Sequence, residues 1–148
     1  MAFNFKLERV LEYRRQLEEQ AILALSRARI GRDKEKARFD GLRAELAQQR
    51  FILGGSAGMP GAERWLVVNY ISALERDVKD SGIRLHYLEL AVEQSRQELV
   101  EKARERRLLD KLKDKQAARH AKEEQLKEQR GYDETTTIRF KQKALQAL

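Results

Sequence analysis

The sequence predicts an all-α chain: a long antiparallel two-helix coiled coil, or helical hairpin, with the second helix overhanging the first. Three observations carry this. Residues 54–61 hold four of the eight glycines and the only proline. The stretches on either side are dense in Glu, Lys, Arg, Gln, Leu and Ala, the better helix formers. Both stretches carry apolar residues spaced alternately by three and four, the period of a coiled-coil seam.

The first arm is expected from residue 4 to 53, with Asn4 as a candidate N-cap. Leu7, Leu11, Ala21, Leu25, Ala28, Phe39, Leu42, Leu46 and Leu53 fall on one track, which Arg14, Glu18, Arg32, Glu35 and Gln49 interrupt. The turn occupies 54–61, because glycine accepts positive φ and proline lacks a backbone donor. The second arm runs over 62–130. Val67, Ile71, Leu74, Val78, Ser81, Leu85, Leu88, Val92, Ser95 and Leu99 keep strict spacing. Beyond Leu99 the phase slips to Leu109, Leu112, Gln116, Arg119, Glu123 and Leu126, as a stammer would do. Gly131 ends or interrupts this helix. Asp133 is a candidate cap for a last helical segment within 132–148, through Ile138, Leu145 and Leu148. The whole chain, 1–148, reads as a single coiled-coil domain.

Folding at the turn sets residue 53 level with 62, Leu46 with Asn69, Leu25 with Leu90 and Leu7 with Leu108. The paired part is then about 75 Å long, at about 1.5 Å per residue. The first arm is exhausted near residue 110, so the remainder of the second lacks an intramolecular partner. Gly31 and Gly82 come nearly level, which implies either close helix approach or a bend. A soft point is the expectation, because each glycine costs about 1 kcal/mol of helix stability relative to alanine. A straight parallel dimer is the competing arrangement.

Composition narrows the function classes. Charged residues make up 37% and aromatics 7%, enough apolar side chain for a thin seam and too little for a thick core. There is no cysteine, hence no disulfide or thiolate site. No run of about 18 apolar residues exists, and the first residues lack a secretory core. The expectation is a soluble cytoplasmic protein. Net charge is +7, unevenly spread. Residues 1–53 carry 12 basic and 8 acidic groups, 62–101 carry 5 and 8, and 102–130 carry 11 and 6. The basic ends suit an acidic protein surface, nucleic acid or anionic lipid.

No catalytic constellation is present, so the chain is read as a non-enzyme without cofactor or metal. The glycines of the turn are not followed by Lys-Ser/Thr, as a phosphate loop requires. His120, Glu123 and Glu124 have metal-compatible helical spacing but read as a solvated face. The run from Arg104 to Lys115 has no interleaved aromatics for base stacking, so nucleic acid is not the expected partner. Trp65, Leu66, Val67, Val68, Tyr70 and Ile71 are too many apolar residues for one seam. They either pack locally against the turn or form a binding patch.

Four stretches together resemble one family. They are Phe5 to Leu11 with Arg14 and Glu19; Trp65 with Tyr70-Ile71 and Leu74-Glu75; Glu105 to Leu109 through Lys115; and Asp133-Glu134. Their order and spacing resemble the flagellar export protein FliJ, over nearly the whole chain. Gly131 and the Thr135-Thr136-Thr137 run depart from that pattern. The resemblance implies an antiparallel coiled coil similar to the central (gamma) stalk of rotary ATP synthases. It implies a component of type III flagellar export, and so of motility and chemotaxis. Such proteins insert into and stimulate the hexameric export ATPase, contact the cytoplasmic domain of the export gate and help recycle export chaperones. They associate peripherally with the inner membrane through these partners. By resemblance the gate-contact positions fall on Tyr70, Leu74, Asp77 and Ser81. The unpaired basic end, joined to the stalk resemblance, nominates Arg9, Arg14, Arg106, Arg107, Lys111 and Lys115 for the ATPase ring. A basic coiled coil that binds nucleic acid or ribosomes is the alternative.

Overall fold

The computed structural model describes residues 1–55 and 57–147. They form two α-helices, α1 (Glu8–Gly55) and α2 (Gly61–Gln146), packed against each other as a helical hairpin with the second longer. The chain divides into two compact units, and each is described by itself. Unit 1 joins Met1–Gln16 to Ala103–Leu148, and unit 2 is Leu17–Lys102. The expected placements of Ser56 in the turn and Leu148 in a last helix lie outside the described residues.

In unit 2 the seam is the one the periodicity requires. Leu25 and Leu46 of α1 are buried, as are Ile71, Leu74, Ser81, Leu85 and Val92 of α2. Leu46, Ile71 and Leu74 form the core cluster, with Leu42, Leu53, Val67 and Val78 packed around it. The polar residues that interrupt the α1 track sit on the seam and are satisfied there. Ser81, fully buried, donates its hydroxyl to Glu35 Oε1 at 2.8 Å. The same oxygen pairs with Arg84 Nε at 3.4 Å. A hydrogen bond to a charged group contributes about 1.5–3 kcal/mol, and its loss leaves a carboxylate short of one donor. Ser81→Ala is therefore expected to lower unfolding free energy by about 1–2 kcal/mol in urea denaturation.

Several boundaries differ from expectation, each for a local reason. Gly54 and Gly55 belong to α1, and no described glycine has positive φ, so these two simply continue the helix. Only residues 57–60 of the described connection are non-helical. The Pro60 carbonyl accepts the first bond of α2 from Arg64 N at 3.0 Å, and its own missing N–H falls where a helix start needs none. The first turn of α2 is exposed throughout, and Val67 is its first half-buried residue. Leu46 consequently packs with Ile71 and Leu74 rather than level with Asn69, a register shift of about one helical turn. Gly82 faces the Phe39 ring: a Cβ placed on it would lie 3.2 Å from Cε2, whereas one on Gly31 would meet nothing within 4 Å. The close approach is thus between Gly82 and an aromatic ring.

In unit 1, α1 begins at Glu8, so Asn4 does not cap it. Glu8 N instead bonds the Phe5 carbonyl at 3.2 Å, and Phe5 is buried. Burying Phe5 draws the first residues off the helical path. Non-helical chain advances up to about 3.3–3.6 Å per residue against about 1.5 Å in a helix, so a few residues reach far along α2. Met1 N lies 3.7 Å from Glu124, and the Phe3 ring packs tilted against His120 with ring centroids 5.7 Å apart. Partnering of α2 therefore continues to Glu124 instead of ending near residue 110. From residue 125 onward every described residue is exposed.

The expected phase slip after Leu99 is smaller than the leucines suggest. Arg106, Lys113 and His120 continue the seven-residue repeat of Leu85, Val92 and Leu99. Ala103, Asp110, Ala117 and Glu124, also buried or half-buried, sit one residue past the repeat of Ser81, Leu88 and Ser95. Lys102, Glu105 and Leu109 are half-buried beside them. Leu112, Gln116, Arg119, Glu123 and Leu126 lie off this track and are exposed. Nor does Gly131 break α2, which runs unbroken to Gln146. The hydroxyls of Thr135, Thr136 and Thr137 donate to the carbonyls of Gly131, Tyr132 and Asp133, each at 2.8 Å. This back-bonding satisfies the threonines inside the helix.

Candidate functional site: two surfaces on the second helix

The surface of unit 1 rests on ion pairs. Arg14 Nη1 bonds Glu105 Oε2 at 2.6 Å, Lys113 Nζ lies 2.8 Å from Glu8, and Arg15 reaches Asp110 at 3.3 Å. Arg106 Nη1 bonds the other Asp110 oxygen at 2.6 Å, one helical turn away. These pairs hold the start of α1 onto α2. They also sort the residues nominated for the ATPase ring. Arg14 and Arg106 are half-buried and spent on internal pairs. Arg107, Lys111 and Lys115 are exposed, recur at every fourth position and form no ion pair among the described residues. They make one basic stripe along α2. Arg9, on α1, is exposed as well.

Beside the stripe, sequence reasoning missed a partner feature. Leu108 and Leu112 are also four apart, 62% and 37% exposed, and lie on the adjacent flank. Two leucines bordered by three cations form an amphipathic strip with an apolar centre and a charged edge. The i, i+4 repeat of the two leucines and of the three cations was readable, but assigning Leu112 to a seam concealed it.

The surface of unit 2 begins at the first turn of α2. Trp65, Leu66, Val68 and Tyr70 are exposed, with Phe51 and Ile52 of α1. Asn69 Nδ2 donates to the Trp65 carbonyl at 3.0 Å. The Tyr70 hydroxyl donates to Glu45 Oε1 at 3.4 Å. Partial desolvation, and then the charge and bond of Glu45, raise its phenol pKa above the ordinary value, with Asp77 adding to the same effect. Asp77 is exposed, whereas Leu74 is 4% exposed in the core and Ser81 fully buried. Of the four nominated gate-contact residues, then, Tyr70 and Asp77 present side chains to solvent. Leu74 and Ser81 hold the seam beneath them.

The histidines do not converge. His120 lies between Phe3 and Glu124, 3.8 Å from the latter, while Glu123 faces Arg119. His86 packs edge-on to Tyr87. Among the described residues no group of three His, Cys, Asp or Glu is placed to hold a metal ion, and no helix is long and apolar enough to cross a membrane.

No curated protein and no solved structure gives a significant match to the chain. The model of one family, described as flagellar FliJ protein, matches residues 3–145. That match covers α1, the connection and nearly all of α2. The chain therefore belongs to the flagellar FliJ protein family, whose members are non-catalytic components of the flagellar export apparatus.

Proposed function

We propose that this chain acts as a stalk-like activator in flagellar export, with each unit addressing a different partner. Unit 1 docks into the hexameric export ATPase through the strip formed by Leu108, Leu112, Arg107, Lys111 and Lys115. That exposed strip, next to cations already committed to internal pairs, is the observation that carries the reading. A protein without catalytic groups stimulates an ATPase by binding the assembled, active ring more tightly than its separate subunits. Basic side chains on the strip speed encounter with an acidic ring interior, and the leucines supply burial once docked. Unit 2 meets the cytoplasmic domain of the export gate through Tyr70 and Asp77. Escort of export chaperones belongs to the same reading. So does a position at the cytoplasmic face of the inner membrane, held by these protein partners.

Tyr70→Ala tests the gate arm without disturbing the seam. Tyr70 is 45% exposed, so helicity should be unchanged while affinity for the gate's cytoplasmic domain falls about tenfold, as for a truncated aromatic anchor. Titration calorimetry reads the affinity and circular dichroism the helicity. Unchanged affinity with intact helicity would remove Tyr70 from the contact.

A further inference from the structure

Between Phe51 and Leu74 only Glu63 and Arg64 are charged, in a chain that is 37% charged. The side chains that replace charge there are large and exposed: Phe51 83%, Trp65 67%, Leu66 60% and Val68 44%. Their directions matter more than their number. Each residue turns a helix by about 100°, so Phe51 lies opposite the α1 seam residues Gln49 and Leu53. Trp65 lies opposite the α2 seam residue Val67 by the same count. Leu66 and Val68 fall on the two flanks of α2, and Ile52 on a flank of α1. Near the connection both helices therefore carry large apolar side chains on their outward faces as well as along the seam. Asn69, on the Trp65 face, has its amide bonded back to the Trp65 carbonyl, and Arg50, on a flank of α1, is paired with Glu75. Apolar side chains on opposite sides of a helix call for an apolar surrounding rather than a single partner face.

We infer that the connecting end of unit 2 inserts shallowly into the interface of a lipid bilayer. A protein groove covers one side of a helix pair. A bilayer interface surrounds the inserted end and covers Phe51 and Trp65 together. The residue types agree: Trp and Tyr sit at the headgroup level, where an apolar ring and a polar edge are both accommodated. The non-helical backbone at 57–60 limits the depth, because unpaired peptide groups are not tolerated in the hydrocarbon core. Insertion is thus confined to about 5–10 Å. Glu63 and Arg64 cancel in charge, so this contact needs no anionic lipid, unlike any contact made by the basic residues of unit 1. The inference does not depend on the gate contact of Tyr70.

Trp65 is the only tryptophan, so its emission reports on this end alone. The full chain is titrated with zwitterionic phosphatidylcholine vesicles at physiological salt. The expected result is a blue shift of Trp65 emission, with quenching by lipids brominated near the headgroup end of the acyl chain. Phe51→Ser, at a position that is 83% exposed and so dispensable for packing, should weaken vesicle binding about tenfold. Tyr87→Ser, at a position 66% exposed and outside the charge-poor stretch, should leave binding unchanged. An unmoved emission overturns the inference, as does capture by anionic vesicles alone with emission unmoved. Equal weakening by both variants also overturns it. So does a shift produced by the gate's soluble domain and not by vesicles, which would assign this end to a protein socket.

Discussion

Leu74→Ala should lower the free energy of unfolding by about 2–4 kcal/mol, while Tyr70→Ala, one helical turn away, should cost under about 1 kcal/mol. Leu74 is 4% exposed and sits against Leu46 and Ile71, ringed by Leu42, Leu53, Val67 and Val78. Truncation removes its transfer free energy and leaves a cavity that two helices can only partly close. A thin seam has no second layer to compensate. Tyr70 gives up a 3.4 Å hydrogen bond and partial burial, and alanine returns helix propensity. Urea denaturation followed by helicity reads both values. Equal losses at the two positions would mean that the core is not where burial places it. The comparison matters for function, because loss of gate binding in Leu74→Ala would report unfolding as much as contact.

The second large effect belongs to unit 1. The combined variant Arg107→Glu, Lys111→Glu and Lys115→Glu should bind the hexameric export ATPase about 100-fold more weakly, at up to about 1 kcal/mol for each charge contact. Stimulation of hydrolysis should be lost at concentrations where the unaltered chain saturates. All three side chains are exposed and form no ion pair among the described residues, and glutamate is as good a helix former. The fold should therefore persist. Arg106 is left in place because its guanidinium bonds Asp110 at 2.6 Å, and its reversal would set two carboxylates against each other. Salt supplies an internal control. Binding by the unaltered chain should fall as ionic strength rises, and the residual binding of the variant should respond less. Normal stimulation by the variant would return the stripe to the role of a solvated helix face.

The seam of unit 2 was legible residue by residue, and that of unit 1 was not. Every α2 position from Val67 to Leu99 expected on the track is buried or half-buried, Ser81 and Ser95 included. The interruptions on α1 at Arg32, Glu35 and Gln49 were equally legible as seam positions. Leucine periodicity failed beyond residue 102 because the contact there is built from ion pairs and small residues. Arg106, Asp110, Lys113 and Glu124 carry no apolar period, while Leu108, Leu112 and Leu126 are exposed and, of the expected leucines, Leu109 alone is half-buried. Following the leucines placed the change of phase on Leu112 and Leu126, whereas burial shifts by a single residue, to Ala103, Asp110, Ala117 and Glu124. The register was illegible for a different reason. It depends on how many residues the connection consumes, and glycines that permit a turn also permit helix, as Gly54 and Gly55 do. Family resemblance nominated Tyr70, Leu74, Asp77 and Ser81 together and does not separate the exposed Tyr70 and Asp77 from the buried Leu74 and Ser81.

The central claim is that two surfaces of α2 address two different partners. A photo-reactive amino acid at position 111, and in a second protein at position 70, tests it most directly in a mixture of the export ATPase and the cytoplasmic domain of the gate. The account predicts that the probe replacing Lys111 cross-links to the ATPase and the probe replacing Tyr70 to the gate. Cross-links exchanged between the two partners, or both probes reaching the same one, would contradict it.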